Sequence, residues 1–234
     1  MTIVVAIHQP NFFPWLGYFD KIVRSHKFIF LDDVQFPKKG GSWSNRVKIY
    51  VSGEARWVTA SIRRPPHGVA LINQIEFSDD RHWRSKFLKT LESNYSHAAF
   101  YEETMSLLKP LIMANEGMLA RYNMDAIRAI AEHIGIRHAH CVPSSSLGVS
   151  GTATDLLINL TKCVDGTLYL CGGGAEGYQQ DSAFAAAGLD LRYQRFEHPI
   201  YSQGDKLSFT QGLSVVDPLM HIGRNGVKKL LEAQ

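Results

Sequence analysis

Cysteine is scarce in this 234-residue chain. Cys141, Cys163 and Cys171 form an odd set with no C-x-x-C pair, which argues against a disulfide framework and against a zinc knuckle alike. Reduced, partly buried thiols are expected. No run approaches the ~20 apolar residues that span a bilayer, and Met1-Thr2-Ile3 lacks the basic region and cleavage site of a signal peptide, so a soluble cytoplasmic protein is expected. Blocks of like charge are missing as well. The 25 basic and 22 acidic residues are interspersed and leave a net charge of +3, which gives no nucleic-acid arm and no polybasic membrane anchor. His138 and His140 alternate in IRHAHCV and would share one strand face, but no carboxylate of suitable spacing accompanies them, so no metal site is expected. Internal repeats and low-complexity tracts are absent.

What is present is a chain that is 45% hydrophobic, enough to bury one large core or a core with an added lobe. It opens with a short apolar run, Thr2 to Ile7, that stops at His8-Gln9-Pro10 and leads into NFFPWLGYFDKI. A second apolar run, FIFLDDVQF, ends in acids. This layout predicts strand, rigid loop, helix start and a second parallel strand, with polar residues at the carboxyl ends where open α/β sheets bind ligands. Residues 56–62 alternate as a strand that RRPPHG stops. From Asp79 the period becomes helical, with Trp83, Phe87, Leu88, Leu91 and Tyr95 on one stripe. Helices are expected again at 100–113 and 119–134, the last stopped by Gly135. Strand and helix then alternate once more: HAHCV, a serine loop, a helix at 153–164 with Leu156, Leu157, Leu160 and Cys163 inward, TLYLC entering Gly172-Gly173-Gly174, LDLRYQRFEH, and terminal helices. The expected fold class is α/β, an open, mostly parallel twisted sheet flanked by helices with a helical middle lobe. Residues 1–78 would form an N-terminal α/β half, 79–135 the lobe, and 136–234 a C-terminal half completing the same domain.

HQPNFFPWLGYFDKI, the LDDVQF strand end, SWSNRVKI, YLCGGGAEGY and the late GLSVVD together resemble the WbqC-like family, nearly end to end. That family is bacterial and associated with surface-polysaccharide genes such as those for O-antigen, and some members carry a glycine-transferase label. The resemblance implies sugar-modifying chemistry. A remoter similarity, of strand, N-x-F-P-W-L-G-Y, helix and acid-ended strand, is to nucleotidylyltransferases and related ligases, and it implies ATP with Mg2+ as a candidate cofactor. In that comparison Tyr18 stands where the second histidine of a pair is usual, and a phenol can donate one hydrogen bond.

The residues suggest a division of labour at such a site. His8 is the candidate general acid or base, because an ordinary imidazole titrates near neutral pH. Tyr18 and Asp33 complete the catalytic candidates. Gly17 and the helix start after Pro14 would let backbone N–H groups meet an anion. Asp32 or Asp33 would hold magnesium or a sugar hydroxyl. Lys38, Lys39 and Arg46 would close over phosphates from a mobile loop, and Asn45 with Arg46 would clamp an anionic group. Gly172, Gly173 and Gly174, with Tyr178 beyond them, would cradle phosphate through backbone N–H groups. Gln9, Pro10, Trp15 and Gln35 fill out the binding set. Each has a plainer reading: aromatics as core, prolines as turn stiffeners, the acids as turn caps, SWSNRVKI as a hairpin arm, the glycines as a tight turn. Ser144 to Ser146 lack the glycines of a nucleophile elbow.

Two functions of different class are compatible with this. One is a transferase or ligase that attaches a small acyl or aminoacyl group to a nucleotide-linked sugar, with ATP adenylation as one route of activation. The other is a non-catalytic sugar-nucleotide-binding or scaffold protein of the polysaccharide machinery. Partners are therefore a sugar nucleotide and an acyl or amino acid donor, without nucleic acid or a membrane span, and a homo-oligomer stays open. Both readings require the Gln9 turn and the triple-glycine turn to border one cleft.

Overall fold

The structure is a computed structural model that describes residues 1–38, 40–63, 69–78, 82–136, 140–172, 180–204 and 208–234. Among these, five strands form one parallel sheet in the order β7-β2-β1-β8-β9: β1 (Val4–His8), β2 (Lys27–Phe30), β7 (Cys141–Pro143), β8 (Leu168–Cys171) and β9 (Asp190–Tyr193). The strands read as nearly continuous apolar runs because both faces of the sheet are covered. Val5, Ile7, Ile29, Tyr169 and Cys171 point to one face and pack with Ile158 and Leu160 of α5 (Ala153–Cys163) and Phe184 of α6 (Asp181–Ala186). Ala6, Phe28, Phe30, Leu168 and Leu170 point to the other and join the larger core. That core takes in Leu16, Phe19 and Ile22 of α1 (Leu16–Val23) and Val216, Leu219 and Met220 of α7 (Val216–Glu232). The chain is thus an α/β protein with an open parallel sheet and helices on both faces.

Three helices fill the middle of the chain: α2 (His82–Tyr95), α3 (Tyr101–Ile112) and α4 (Leu119–Ile134). Their apolar stripes, including Phe87, Leu91, Leu108, Ile112, Ile127 and Ile130, lie in the same buried cluster as Phe12, Leu16 and Phe19. α4 ends where the sequence places its stop, at Gly135 with φ 76°, a left-handed conformation that only glycine adopts without penalty. β3 (Arg46–Val51) and β4 (Glu54–Thr59) form a separate antiparallel hairpin, and the short β5 (Ile62–Arg63) pairs with β6 (Glu76–Phe77).

The chain order across the main sheet fixes where a ligand can enter. From β1 the chain passes through α1 to β2 on one side; from β8 it passes through α6 to β9 on the other. The neighbours β1 and β8 thus connect onward to opposite sides of the sheet, and the space between their carboxyl ends is the switch point at which open α/β sheets bind ligands.

Two local expectations fail. The strand read over 56–62 breaks at Ala60–Ser61, because Ala60 N–H donates to Asn45 O (2.8 Å) and ends the hairpin. The inward face of α5 is Thr154, Ile158, Leu160 and Thr161; Leu156 and Leu157 are only half-buried and Cys163 is exposed, since two threonines on the sheet side rotate the stripe from the one hydropathy suggests.

Candidate functional site at the carboxyl end of the sheet

The loop after β1 is built to hold an awkward shape. Phe13 has φ 41°, a left-handed conformation that costs a bulky residue about 1–3 kcal/mol. Its neighbours over-determine it. Phe12 and Phe13 are fully buried against Phe87 and Tyr122. Ser214 Oγ donates to Phe13 O (2.7 Å) and Val215 N–H to Pro14 O (2.8 Å), so the late GLSVVD segment clamps the turn. Asn123 of α4 donates through Nδ2 to both Pro10 O (2.9 Å) and Ser44 O (2.7 Å), tying this loop to the SWSN turn.

Under that loop lies a cleft of about 510 Å³ lined by His8, Asn11, Trp15, Gly17, Tyr18, Lys21, Trp43, Gly172, Gln194, Arg195, Phe196, His198 and Gly212. The volume suits a mid-sized organic ligand. A larger hollow, of about 910 Å³, is lined by Met1, Ile3, Phe28 and Ile136 at the amino end of the sheet, away from the switch point. The smaller cleft is the one at the switch point.

Its charge is one-sided. Among the described residues no aspartate or glutamate lines it, while Lys21 and Arg195 do. Lys21 is 2% exposed, and its Nζ makes one hydrogen bond, to Ile7 O (3.1 Å). Among the described residues it has no carboxylate partner. Burial pushes its pKa down to about 8, so the amine is mostly charged at neutral pH and held at a cost. Gly172 faces it: a Cβ there would lie 3.9 Å from Nζ, so the glycine leaves the amine open to the cleft. Arg195 is exposed, has φ 48°, and has no ion pair or hydrogen bond among the described residues. Asn11 is buried and its Oδ1 has no partner among the described residues.

His8 sits beside these groups. Its Nδ1 lies 3.1 Å from Gln9 O, and since a carbonyl only accepts, Nδ1 carries the proton and Nε2 the lone pair. Desolvation, and then the Lys21 charge, push its pKa down to about 3. That corrects the expectation of a near-neutral acid or base: the ring is neutral throughout the physiological range. Tyr18 packs edge-on against it with ring centroids 4.8 Å apart. The Tyr18 hydroxyl donates to Gln9 O (3.0 Å), so the proton foreseen for a phosphate is already engaged, and burial raises its pKa well above the phenol range.

Of the residues singled out in the sequence, the structure therefore brings His8, Trp15, Gly17, Tyr18 and Gly172 together, with the Gln9 carbonyl fixing His8 and the Pro10 carbonyl held by Asn123. Gly173, Gly174 and Tyr178, like Lys39, lie outside the described residues. Others stand apart. Asp32 is 3% exposed; its Oδ1 accepts from Ser144 Oγ and Ser145 N–H (both 3.0 Å) and its Oδ2 from Ser145 Oγ (2.7 Å), while Ser144 Oγ also bonds Asp33. These carboxylates tie β2 to β7 and are not among the residues that line the cleft. Gln35 is exposed and bridges Leu71, and Lys38 is exposed. Asn45 is buried in its own turn, accepting from Ser42 N–H (2.9 Å) and donating to Ala60 O (3.2 Å), and Arg46 lies 4.2 Å from the Trp57 ring centroid, so the two are not an anion clamp. Among the described residues no cluster of three His, Cys, Asp or Glu side chains could hold a metal ion. The described residues that line the cleft offer no carboxylate to magnesium.

The WbqC-like protein family matches residues 9–229. The chain belongs to that family. Its matched span starts at Gln9 in the cleft loop and includes both cations, the GLSVVD clamp and the hairpin. The chain is also 29% identical over 222 residues, 94% of each protein, to the uncharacterized protein Rv1507c of Mycobacterium tuberculosis (strain ATCC 25618 / H37Rv). No solved structure matches it. No helix among the described residues is long and apolar enough to cross a membrane.

Proposed function

We propose that this WbqC-like protein is an acyl- or aminoacyl-transferase that modifies an amino group on a nucleotide-linked sugar for surface-polysaccharide assembly. The observation that carries the reading is the buried Lys21 amine, without a carboxylate partner among the described residues, at the switch point beside a neutral His8. A buried charge is retained at a cost when a ligand supplies its partner. Lys21 and the strained Arg195 suit the phosphates of a nucleotide.

The chemistry follows from the weak basicity of His8. In acyl transfer the acceptor attacks the donor's carbonyl carbon, a C–N or C–O bond forms, and the acceptor's proton must leave. A hydroxyl needs a strong base to lose its proton early. An amine attacks as it stands and becomes a positively charged N–H in the tetrahedral adduct, far more acidic than a hydroxyl, so it asks less of the base than a hydroxyl does. Nε2 of His8 accepts that proton, Asn11 Oδ1 orients the same amine, and the acidic imidazolium passes the proton to the departing group as the carbonyl re-forms. An anion bound at Lys21 cancels the charge that depresses His8 and makes the ring more basic when substrate is present.

The test is to incubate the protein with amino-sugar nucleotides and a panel of amino acids, with ATP and magnesium in one arm and preformed acyl donors in the other, and to weigh the nucleotide product. A mass gain that His8→Asn abolishes supports transfer, and pyrophosphate release assigns the activation to this protein. Nucleotide binding without turnover in either arm replaces the transferase by a sugar-nucleotide-binding protein.

A further inference from the structure

The rim of the cleft carries a second unexplained feature. Trp43 lines the cleft yet is 43% exposed, and Trp57 of β4, its edge-on neighbour at 4.8 Å between centroids, is 39% exposed. Large aromatics left in water on a rigid scaffold mark a place where something else covers them. The scaffold here is rigid. Phe12 N–H donates to Trp43 O (2.8 Å), Ser42 before it and Ser44 and Asn45 after it are buried, and Asn123 holds Ser44 O. The backbone is fixed at every step while the indole faces outward.

The surroundings are cationic. Lys48 stands directly opposite Trp57 in the hairpin and Arg46 is two residues along on the same face, with Lys48 Nζ 5.2 Å and Arg46 Cζ 4.2 Å from the Trp57 centroid. The Arg46 stem also lies over Gly41, where a Cβ would come within 2.6 Å of Cδ, so the guanidinium is confined between the glycine and the indole. A flat π surface with fixed positive charge behind it, continuous with a cleft whose floor presents Lys21, matches a planar group joined to phosphates.

We infer that Trp43, backed by Trp57 and the Arg46 guanidinium, is the stacking platform for the base of the nucleotide whose phosphates meet Lys21 and Arg195. This rests on the anion-binding reading given above and adds to it the subsite that distinguishes a nucleotide from a bare sugar phosphate. The platform is side chain only and reads no base edge, so it accepts pyrimidines and purines alike.

The experiment titrates uridine diphosphate, adenosine diphosphate and inorganic pyrophosphate into wild type, Trp43→Ala, Trp43→Phe and Lys21→Met, with thermal melts confirming that each variant is folded. Stacking predicts that Trp43→Ala weakens both nucleotides roughly 10- to 100-fold, leaves pyrophosphate within about twofold, and is largely rescued by Trp43→Phe; Lys21→Met weakens all three. If pyrophosphate binds as tightly as the nucleotides, or if Trp43→Ala affects all three equally, the platform is refuted while the anion site stands. If pyrophosphate does not bind wild type, the anion site falls and the platform with it. Sedimentation of wild type with anionic lipid vesicles, abolished by Trp43→Ala without any change in nucleotide binding, assigns the indoles to a membrane surface and overturns the inference.

Discussion

Two polar corners lie at the carboxyl end of the same sheet, and they differ in what their side chains still lack. At the end of β2, the Asp32 oxygens are answered by Ser144 and Ser145, and Asp33 shares Ser144. At the end of β1, among the described residues, Lys21 has one hydrogen bond for three donors, His8 keeps a lone pair on Nε2, and Asn11 Oδ1 has no partner. In the first corner Asp32 is engaged through both oxygens and joins strands. The second is incomplete among the described residues, and in the proposed function a ligand completes it. Acid pairs at strand ends look functional in a sequence; bonding decides which ones are.

The contrast can be broken by substitution. The largest expected effect is at His8: His8→Asn should slow transfer by about 10²–10⁴-fold with nucleotide affinity changed only a few-fold, read from single-turnover rates and titrations. Next, Lys21→Met should weaken phosphate-bearing ligands by about 10- to 100-fold while stabilising the protein at pH 7. The folded pKa of about 8 lies below the ordinary 10.5, so the unfolded chain holds more protons between those values. The stability of the wild type therefore rises as pH climbs from 8 to 10.5, and the burial cost, of order 3 kcal/mol, is fully present below 8. Denaturant titrations at pH 7 and 10 should show the advantage of Lys21→Met shrinking. Asp32→Ala should do the reverse, losing about 2–3 kcal/mol of stability with affinity within twofold. An Asp32→Ala protein that melts like wild type and cannot bind would erase the distinction.

Smaller effects sharpen it. Ligand affinity should be level below about pH 7 and decline as pH rises through about 8, when the Lys21 amine loses its charge; Lys21→Met should show no such decline. Gly172→Ala should fold normally, since among the described residues only Lys21 Nζ lies near the added carbon, but bind about threefold more weakly because the methyl group shields the amine.

Much of the frame is legible in the residue pattern. The apolar run into His8, the helix stripe closed by Gly135 and the TLYLC strand all follow from period and punctuation, and together they imply an α/β sheet with its chemistry at the strand ends. The partners of Asp32 are not legible, because Ser144 lies 112 residues away and only the β2–β7 pairing brings it in. Lys21 left a signal that reads only in hindsight. It falls four residues after Gly17 and three after Tyr18, on the helix face turned to the cleft, where a lysine ordinarily reads as solvated surface. Arg195 and His198 were hidden inside LDLRYQRFEH, which reads as one strand; pairing stops at Tyr193, and the rest turns across the cleft.

Asn123 has a mechanical consequence. One carboxamide on α4 grips the backbone of both the Pro10 loop and the Ser44 turn. The two sides of the ligand mouth cannot part independently; they form a single jaw hinged on a helix from the middle of the chain. Altering that helix at a distance would retune how widely the mouth opens without touching a residue that meets the substrate.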